Sequence, residues 1–263
     1  MIPTLHRAAV NQPFLIIETG QPIASMRRHR GFPHWIRVAA GMHPDDAITV
    51  NVQDGEALPS REGFAGVIVT GSGAMVTDRE DWSERTATWL HAAAHARMPV
   101  FGICYGHQLL AHALGGEVGN HPQGREMGTV EIQLHPGAAD DALFAPMPEK
   151  FQVQATHMQT VLHTPPGAQV LAWSAHDACH AFRWGDCAWG VQFHPEFSAT
   201  HMRGYVRARQ VALQREGLCP RTTMTGVSAT PEGRRVLRRF VHHARQLQHV
   251  ARAASSPTHT VRA

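Results

Sequence analysis

Phe101-Gly102-Ile103-Cys104-Tyr105-Gly106-His107-Gln108-Leu109-Leu110 sets a cysteine between two glycines where the hydrophobic period changes. Ahead of it, Pro99-Val100-Phe101-Gly102-Ile103 is a short apolar run of the kind that forms a buried parallel strand. Behind it, Tyr105 to Leu114 carries Leu109, Leu110, Ala113 and Leu114 on one stripe and stops at Gly115-Gly116, which predicts an amphipathic helix. A Gly-x-Cys-x-Gly junction between strand and helix needs its small residues because the backbone turns sharply and neighbouring elements pass close. The unpaired amides and positive end of the helix then favour a thiolate over a thiol. Cys104 therefore reads as a nucleophile, although a lone buried cysteine is more often an inert core residue.

A nucleophilic thiolate needs a group to handle its proton. Ninety residues on, Trp189-Gly190-Val191-Gln192-Phe193-His194-Pro195-Glu196-Phe197 reads as an apolar strand ending in His-Pro-Glu. Strand alternation sets residues two apart on one face, so His194 and Glu196 are expected to point the same way, with the carboxylate orienting the imidazole. Cys104, His194 and Glu196 are the predicted catalytic triad. Gln108 lies four residues after Cys104, on the same helix face, where its amide can hold polar groups of a substrate. Val69-Thr70-Gly71-Ser72-Gly73 is a Gly-rich turn at a strand end that can present amides outward, as an oxyanion site requires.

These motifs, with Ala155-Thr156-His157-Met158-Gln159 between the cysteine and His-Pro-Glu, fall in the order of the class I, triad-type glutamine amidotransferases. The chain resembles the glutaminase part of GMP synthetases and their stand-alone relatives from about Phe14 to about Ser198. The resemblance implies hydrolysis of the side-chain amide of glutamine through a thioester, with release of ammonia and without metal or organic cofactor. It implies that the amides of Ser72 and Tyr105 form the oxyanion hole, and that Gly71, Gly73, Gln108 and the His157 loop contact substrate. Where GMP synthetases have Gly-Asp after that histidine, this chain has Met158-Gln159, so a carboxylate is missing from the substrate loop. The Ser-Gly-Gly-x-Asp-Ser pyrophosphate loop of their synthetase part is absent, and the only lysine, Lys150, is in no phosphate-binding motif. A separate ammonia-accepting synthetase is thus the expected partner. Two other readings stay open: a hydrolase of small γ-glutamyl peptides such as glutathione conjugates, and a non-catalytic regulatory module on the same fold.

With 263 residues and 43% hydrophobic content, the chain can bury a sizeable core. Strand-like runs cover 14–18, 47–52, 66–70, 100–104, 130–134, 151–155, 170–173, 180–184 and 189–194. Helices are expected over 78–97, opened by Asp78, and over 105–114. The alternation predicts an α/β fold, an open, mostly parallel twisted sheet with helices on both faces, of flavodoxin-like glutaminase architecture. Residues 1–12 read as an N-terminal arm, 13–200 as the amidotransferase domain and 201–263 as a basic helical extension with a disordered end.

Twelve of the 24 basic side chains lie in that extension with only Glu216 and Glu232 against them, although the whole chain carries a net +3. Ser198–Glu216 reads as a Ser198-capped helix, 218–229 as a linker and Pro231–Ala253 as a second helix. Arginine-rich faces packed on the core suit this region better than a nucleic-acid surface, because no aromatic residues are interleaved for base stacking. No apolar run approaches ~18 residues, and Cys104, Cys179, Cys187 and Cys219 are too irregular for a disulfide scaffold. Both point to a cytoplasmic home. Among 20 histidines, His91/His95 and His176/His180 are spaced by four but lack a recognised zinc pattern, so no metal site is expected.

Overall fold

In the computed structural model, which describes residues 11–255, the apolar runs become strands wherever both faces are buried. In chain order the elements are β1 (Phe14–Glu18), α1 (Phe32–Ala40), β2 (Ala47–Asn51), β3 (Gly66–Val69), α2 (Asp81–His95), β4 (Val100–Ile103) and α3 (Tyr105–Ala113). Then come β5 (Glu117–Asn120), β6 (Glu126–Leu134), β7 (Lys150–His157), β8 (Gln159–His163), β9 (Ala168–Trp173), β10 (Ala181–Trp184) and β11 (Ala188–Val191). Four helices follow, α4 (Ala199–Ala208), α5 (Gln210–Arg215), α6 (Pro220–Gly226) and α7 (Pro231–Ser255).

One nine-stranded sheet runs β2-β1-β3-β4-β11-β10-β9-β6-β7, and β5 pairs with β8 in a small second sheet. The segment from β2 to β11 is parallel, and β10, β9, β6 and β7 continue it antiparallel. Alternation along β1 divides the interior. Phe14 and Ile16 face a core that contains Ile36 and Ala39 of α1 and Val236, Leu237 and Phe240 of α7. Leu15 and Ile17 face the opposite core, with Leu90 of α2 and Leu109 and Leu110 of α3. Helices therefore cover both faces, and the α/β class is as the sequence predicted.

Several local expectations change. The Asp78 start gives way to a single 3-10 turn, Val76–Asp78, and α2 begins at Asp81 after Glu80, because Arg79 takes a left-handed conformation at φ 52°. Helix α1 was not anticipated, although Pro33 near its start and Gly41 in the left-handed conformation after its end are its own boundary signals. The linker over 218–229 contains α6, which Pro220 opens; Gly128 makes room for it, since a Cβ there would stand 3.2 Å from Thr223 Cγ2. Ser198 caps α4 as expected, accepting from the His201 N–H at 3.2 Å, but the helix breaks at Arg209. Residues 1–10 of the expected N-terminal arm and residues 256–263 of the expected disordered end lie outside the described residues.

The basic α7 is bound to the core by its arginines as well as its apolar stripe. Arg238 donates to Ala39 O, Arg239 to the carbonyls of Leu143 and Ala142, and Arg245 to Asp46. Phe240 is fully buried, with ring centroids 5.0 Å from Phe101 and 6.2 Å from both Phe14 and Trp189. Phe240→Ala is expected to cost ~3–5 kcal/mol of stability, measured by urea denaturation. A loss below ~1 kcal/mol would mean that α7 is not part of the cooperative core.

Candidate active site

The cysteine elbow is crowded enough to explain its glycines. A Cβ on Gly102 would collide with the Gly106 carbonyl and stand 2.7 Å from His107 N, and one on Gly106 would stand 2.6 Å from Val69 O. Cys104 itself sits at φ 50°, ψ −100°, a strained conformation for a residue with a side chain. Its amide is tied to Val191 O at 2.8 Å. The next residue opens α3, so the Tyr105 N–H is one of the helix's unpaired donors beside the thiol. The Tyr105 ring is buried behind, with its hydroxyl 2.6 Å from Ser83 Oγ; burial pushes the phenol up to about 12.

The structure brings Cys104, His194 and Glu196 together. His194 Nδ1 lies 2.8 Å from Glu196 Oε1, and both residues are buried. The geometry that joins them is a turn and not strand alternation: β11 ends at Val191, and Phe197 N donates to His194 O at 3.2 Å across Pro195-Glu196. The imidazole stacks on Phe197 at 4.2 Å, and Phe197 stacks on Phe32 of α1. Gly71 fits against the imidazole and the cysteine, for a Cβ there would lie 2.9 Å from His194 Cε1 and 3.8 Å from Cys104 Cβ. Burial disfavours charge on His194, but Glu196 and then Cys104 outweigh it, and the imidazole is raised to about 10.

A cleft above Cys104 is lined by Ser72, Gly73, Tyr105, Gln108, Met158 and Gln159 among others. Gly71 is not among them; its backbone packs behind the cleft. Gln108 Nε2 is committed to Gln159 O at 2.7 Å and Gln192 Oε1 at 2.9 Å, so a ligand would meet this side chain through its carbonyl oxygen. Gln159 does not present its side chain to the cleft as a free group. Its Oε1 accepts from Val76 N, and its Nε2 donates to Thr77 and Asn120.

His157 is also engaged elsewhere. Its Nδ1 meets Gln159 O at 3.0 Å and its Nε2 meets Glu126 Oε2 at 2.9 Å, while His180 Nε2 reaches the same oxygen at 2.8 Å. Burial works against the Glu126 carboxylate, but the His180 charge and the bonds from both histidines hold it well below the usual range. Glu126, His157 and His180 are spaced closely enough to hold a metal ion. Their contacts are hydrogen bonds that fix the strand leading into Met158-Gln159. Sequence reasoning missed this group because its members lie 31 and 23 positions apart. It also missed Arg125 and Arg209, which line the cleft; Arg125 was visible only as the neighbour of Glu126, and Arg209 as one arginine in a basic run.

A parallel sheet that delivers a strained cysteine, an imidazole–carboxylate pair and a Gly-rich turn to one cleft defines a hydrolase-like site of the glutaminase class. The family model for glutamine amidotransferase class-I matches residues 42–212. A glutamine-hydrolyzing GMP synthase of Thermomicrobium roseum is 36% identical over 182 residues, 69% of this chain and 32% of that protein. The glutamine-hydrolyzing subunit of a GMP synthase from Methanococcus vannielii is 30% identical over 154 residues, 58% of this chain and 75% of that protein. In fold, a glutamine amidotransferase from Thermotoga maritima superimposes with a TM-score of 0.71 at 20% identity, covering 90% of this chain and 100% of that one. The chain belongs to the class-I glutamine amidotransferase family. Its match spans about a third of the length of the T. roseum enzyme. No helix among the described residues is long and apolar enough to cross a membrane.

The His194 proton gives a direct test of the pair. Between pH 6.5 and about 10 the folded protein holds a proton that the unfolded chain has released. This group's stabilisation is thus complete below pH 6.5 and fades as pH rises through the upper value. Removing the largest raising influence with Glu196→Gln should move the midpoint down, read from the His194 ring resonance by NMR. An unchanged midpoint would mean that Glu196 does not govern the imidazole.

Proposed function

We propose that the protein is a glutaminase that hydrolyses the side-chain amide of glutamine to glutamate and ammonia. The observation that carries this reading is the short His194–Glu196 contact beside a strained Cys104 at the N-terminus of α3. His194, oriented by Glu196, takes the thiol proton, and the sulfur attacks the γ-carbonyl carbon. The N–H groups of Tyr105 and Ser72 stabilise the oxyanion, at roughly 10²–10³-fold in rate per donor. Collapse of the tetrahedral adduct breaks the C–N bond, and His194 returns its proton to the departing ammonia. Water, deprotonated by His194, then opens the thioester, releasing glutamate and restoring the thiol. These steps need only the side chains and amides named, with residues 13–200 as the amidotransferase unit and the C-terminal helices packed on it.

The names of the relatives support delivery of ammonia to a separate synthetase, since one of them is a single component of a GMP synthase. A reducing, cytoplasmic setting suits a thiol nucleophile. The γ-glutamyl hydrolase reading shares every bond change except the leaving amine, and it is favoured by Met158 in the cleft wall where GMP synthetases carry a carboxylate.

Cys104→Ala is expected to abolish ammonia release from glutamine while leaving the circular dichroism spectrum and unfolding midpoint near those of the parent. Near-normal turnover would rule the mechanism out. Glu196→Gln should lower kcat less, because it perturbs orientation and proton affinity without removing the nucleophile. Preferential release of amines from γ-glutamyl dipeptides would move the assignment to the hydrolase.

A further inference from the structure

Two arginines reach the cleft from opposite sides of the fold. Arg125, just before β6, donates through Nε and Nη2 to the two carboxylate oxygens of Glu216 at 2.7 and 3.1 Å, a fork geometry that fixes its plane. Its side chain is only 9% exposed, and its remaining nitrogen, Nη1, is buried without any partner. Arg209 enters from the break between α4 and α5, with its guanidinium 5.9 Å from the Tyr205 ring centroid. No ion pair within 4.0 Å involves Arg209 among the described residues, in contrast to Arg125. Both line the cleft that contains Cys104, Gln108 and Met158, and no acidic side chain lines it.

A guanidinium keeps its charge and offers five N–H donors in a plane that matches a carboxylate. A buried donor left unpaired costs ~1–3 kcal/mol, which a ligand that pairs it recovers. The break at Arg209 gives the arrangement its direction, because a continuous helix over 198–216 would carry this residue on around the helix surface. Burial and the Arg125 charge lower the Arg209 pKa, while Cys104 acts in the other sense, so the three groups share one field.

We propose that Arg125 and Arg209 form a carboxylate anchor for the α-carboxylate of the substrate, restricting the site to γ-amides that carry a free α-carboxylate. This rests on the glutaminase reading above and adds its specificity rule. With no acidic side chain in the cleft wall to pair an α-ammonium, recognition falls on the carboxylate. Removing the α-amino group is therefore tolerated, whereas masking the carboxylate is not.

The test is calorimetric binding to the full chain carrying Cys104→Ala, using L-glutamine, 4-carbamoylbutanoate, which lacks the amino group, and L-glutaminamide, which lacks the carboxylate. Glutamine and 4-carbamoylbutanoate should bind within a few-fold of each other, and glutaminamide roughly ten- to a hundredfold more weakly. Adding Arg209→Gln should weaken the first two by a similar factor and leave glutaminamide unchanged, and Arg209→Lys should recover part of the loss. Equal affinity for glutamine and glutaminamide in the parent, equal losses for all three ligands in Arg209→Gln, or no binding of glutamine would overturn the anchor. Binding does not require turnover, so the two readings fail separately. Arg209-dependent discrimination in a protein that releases no ammonia overturns the glutaminase and keeps the anchor; Cys104-dependent ammonia release without discrimination does the reverse.

Discussion

Everything at the site depends on the steric constraint at the turn from β4 into α3. Gly102 lies against the Gly106 carbonyl, and Gly106 lies against Val69 of the neighbouring strand, at approaches that leave no room for a Cβ at either position. That closeness lets the chain reverse within one residue, forces Cys104 to φ 50° and stands its side chain at the start of a helix. The same closeness locks α3 onto β3 and β4, so the thiol is held by the centre of the sheet. Strain in such a residue persists only where its surroundings over-determine it, and here they do so through the Cys104 N–H bond to Val191 as well.

A second layer holds the imidazole. The turn at Pro195 brings Glu196 back beneath His194, and the aromatic rings of Phe197 and Phe32 close over its face. An imidazole packed in this way can pair its charge only with Glu196 and Cys104, which explains why two neighbours suffice to reverse the effect of burial. The Glu126 group does a related task one strand away. It commits His157 to a buried network and so leaves the ensuing loop to shape the cleft with Met158 and backbone groups.

The C-terminal segment shows how one composition can serve two ends. Arginines of α7 are used against carbonyls and Asp46, where they close the core beneath the sheet. Arg209, two helices earlier, has no carboxylate partner among the described residues and faces the cleft instead. Net charge alone could not separate these roles, since solvent, core carbonyls and a substrate all satisfy a guanidinium in sequence-blind fashion.

By itself the sequence determined the strand-to-helix cysteine, the parallel strands around it, the Ser198 cap and the pairing of His194 with Glu196, because each is a local rule of period, glycine spacing or capping. It misjudged how that pairing is made, assigning to strand alternation what a proline turn does, since a strand's end depends on which neighbour is still present to pair with it. Helix α1 carried its own boundary residues but no strong motif. The joining of Glu126 to His157 and His180, the approach of Arg125 to Arg209 and the burial of α7 were decided only by the tertiary structure. Each brings together residues tens of positions apart, and such proximity is fixed by the order of strands in the sheet and the faces helices cover, which no short window of sequence records.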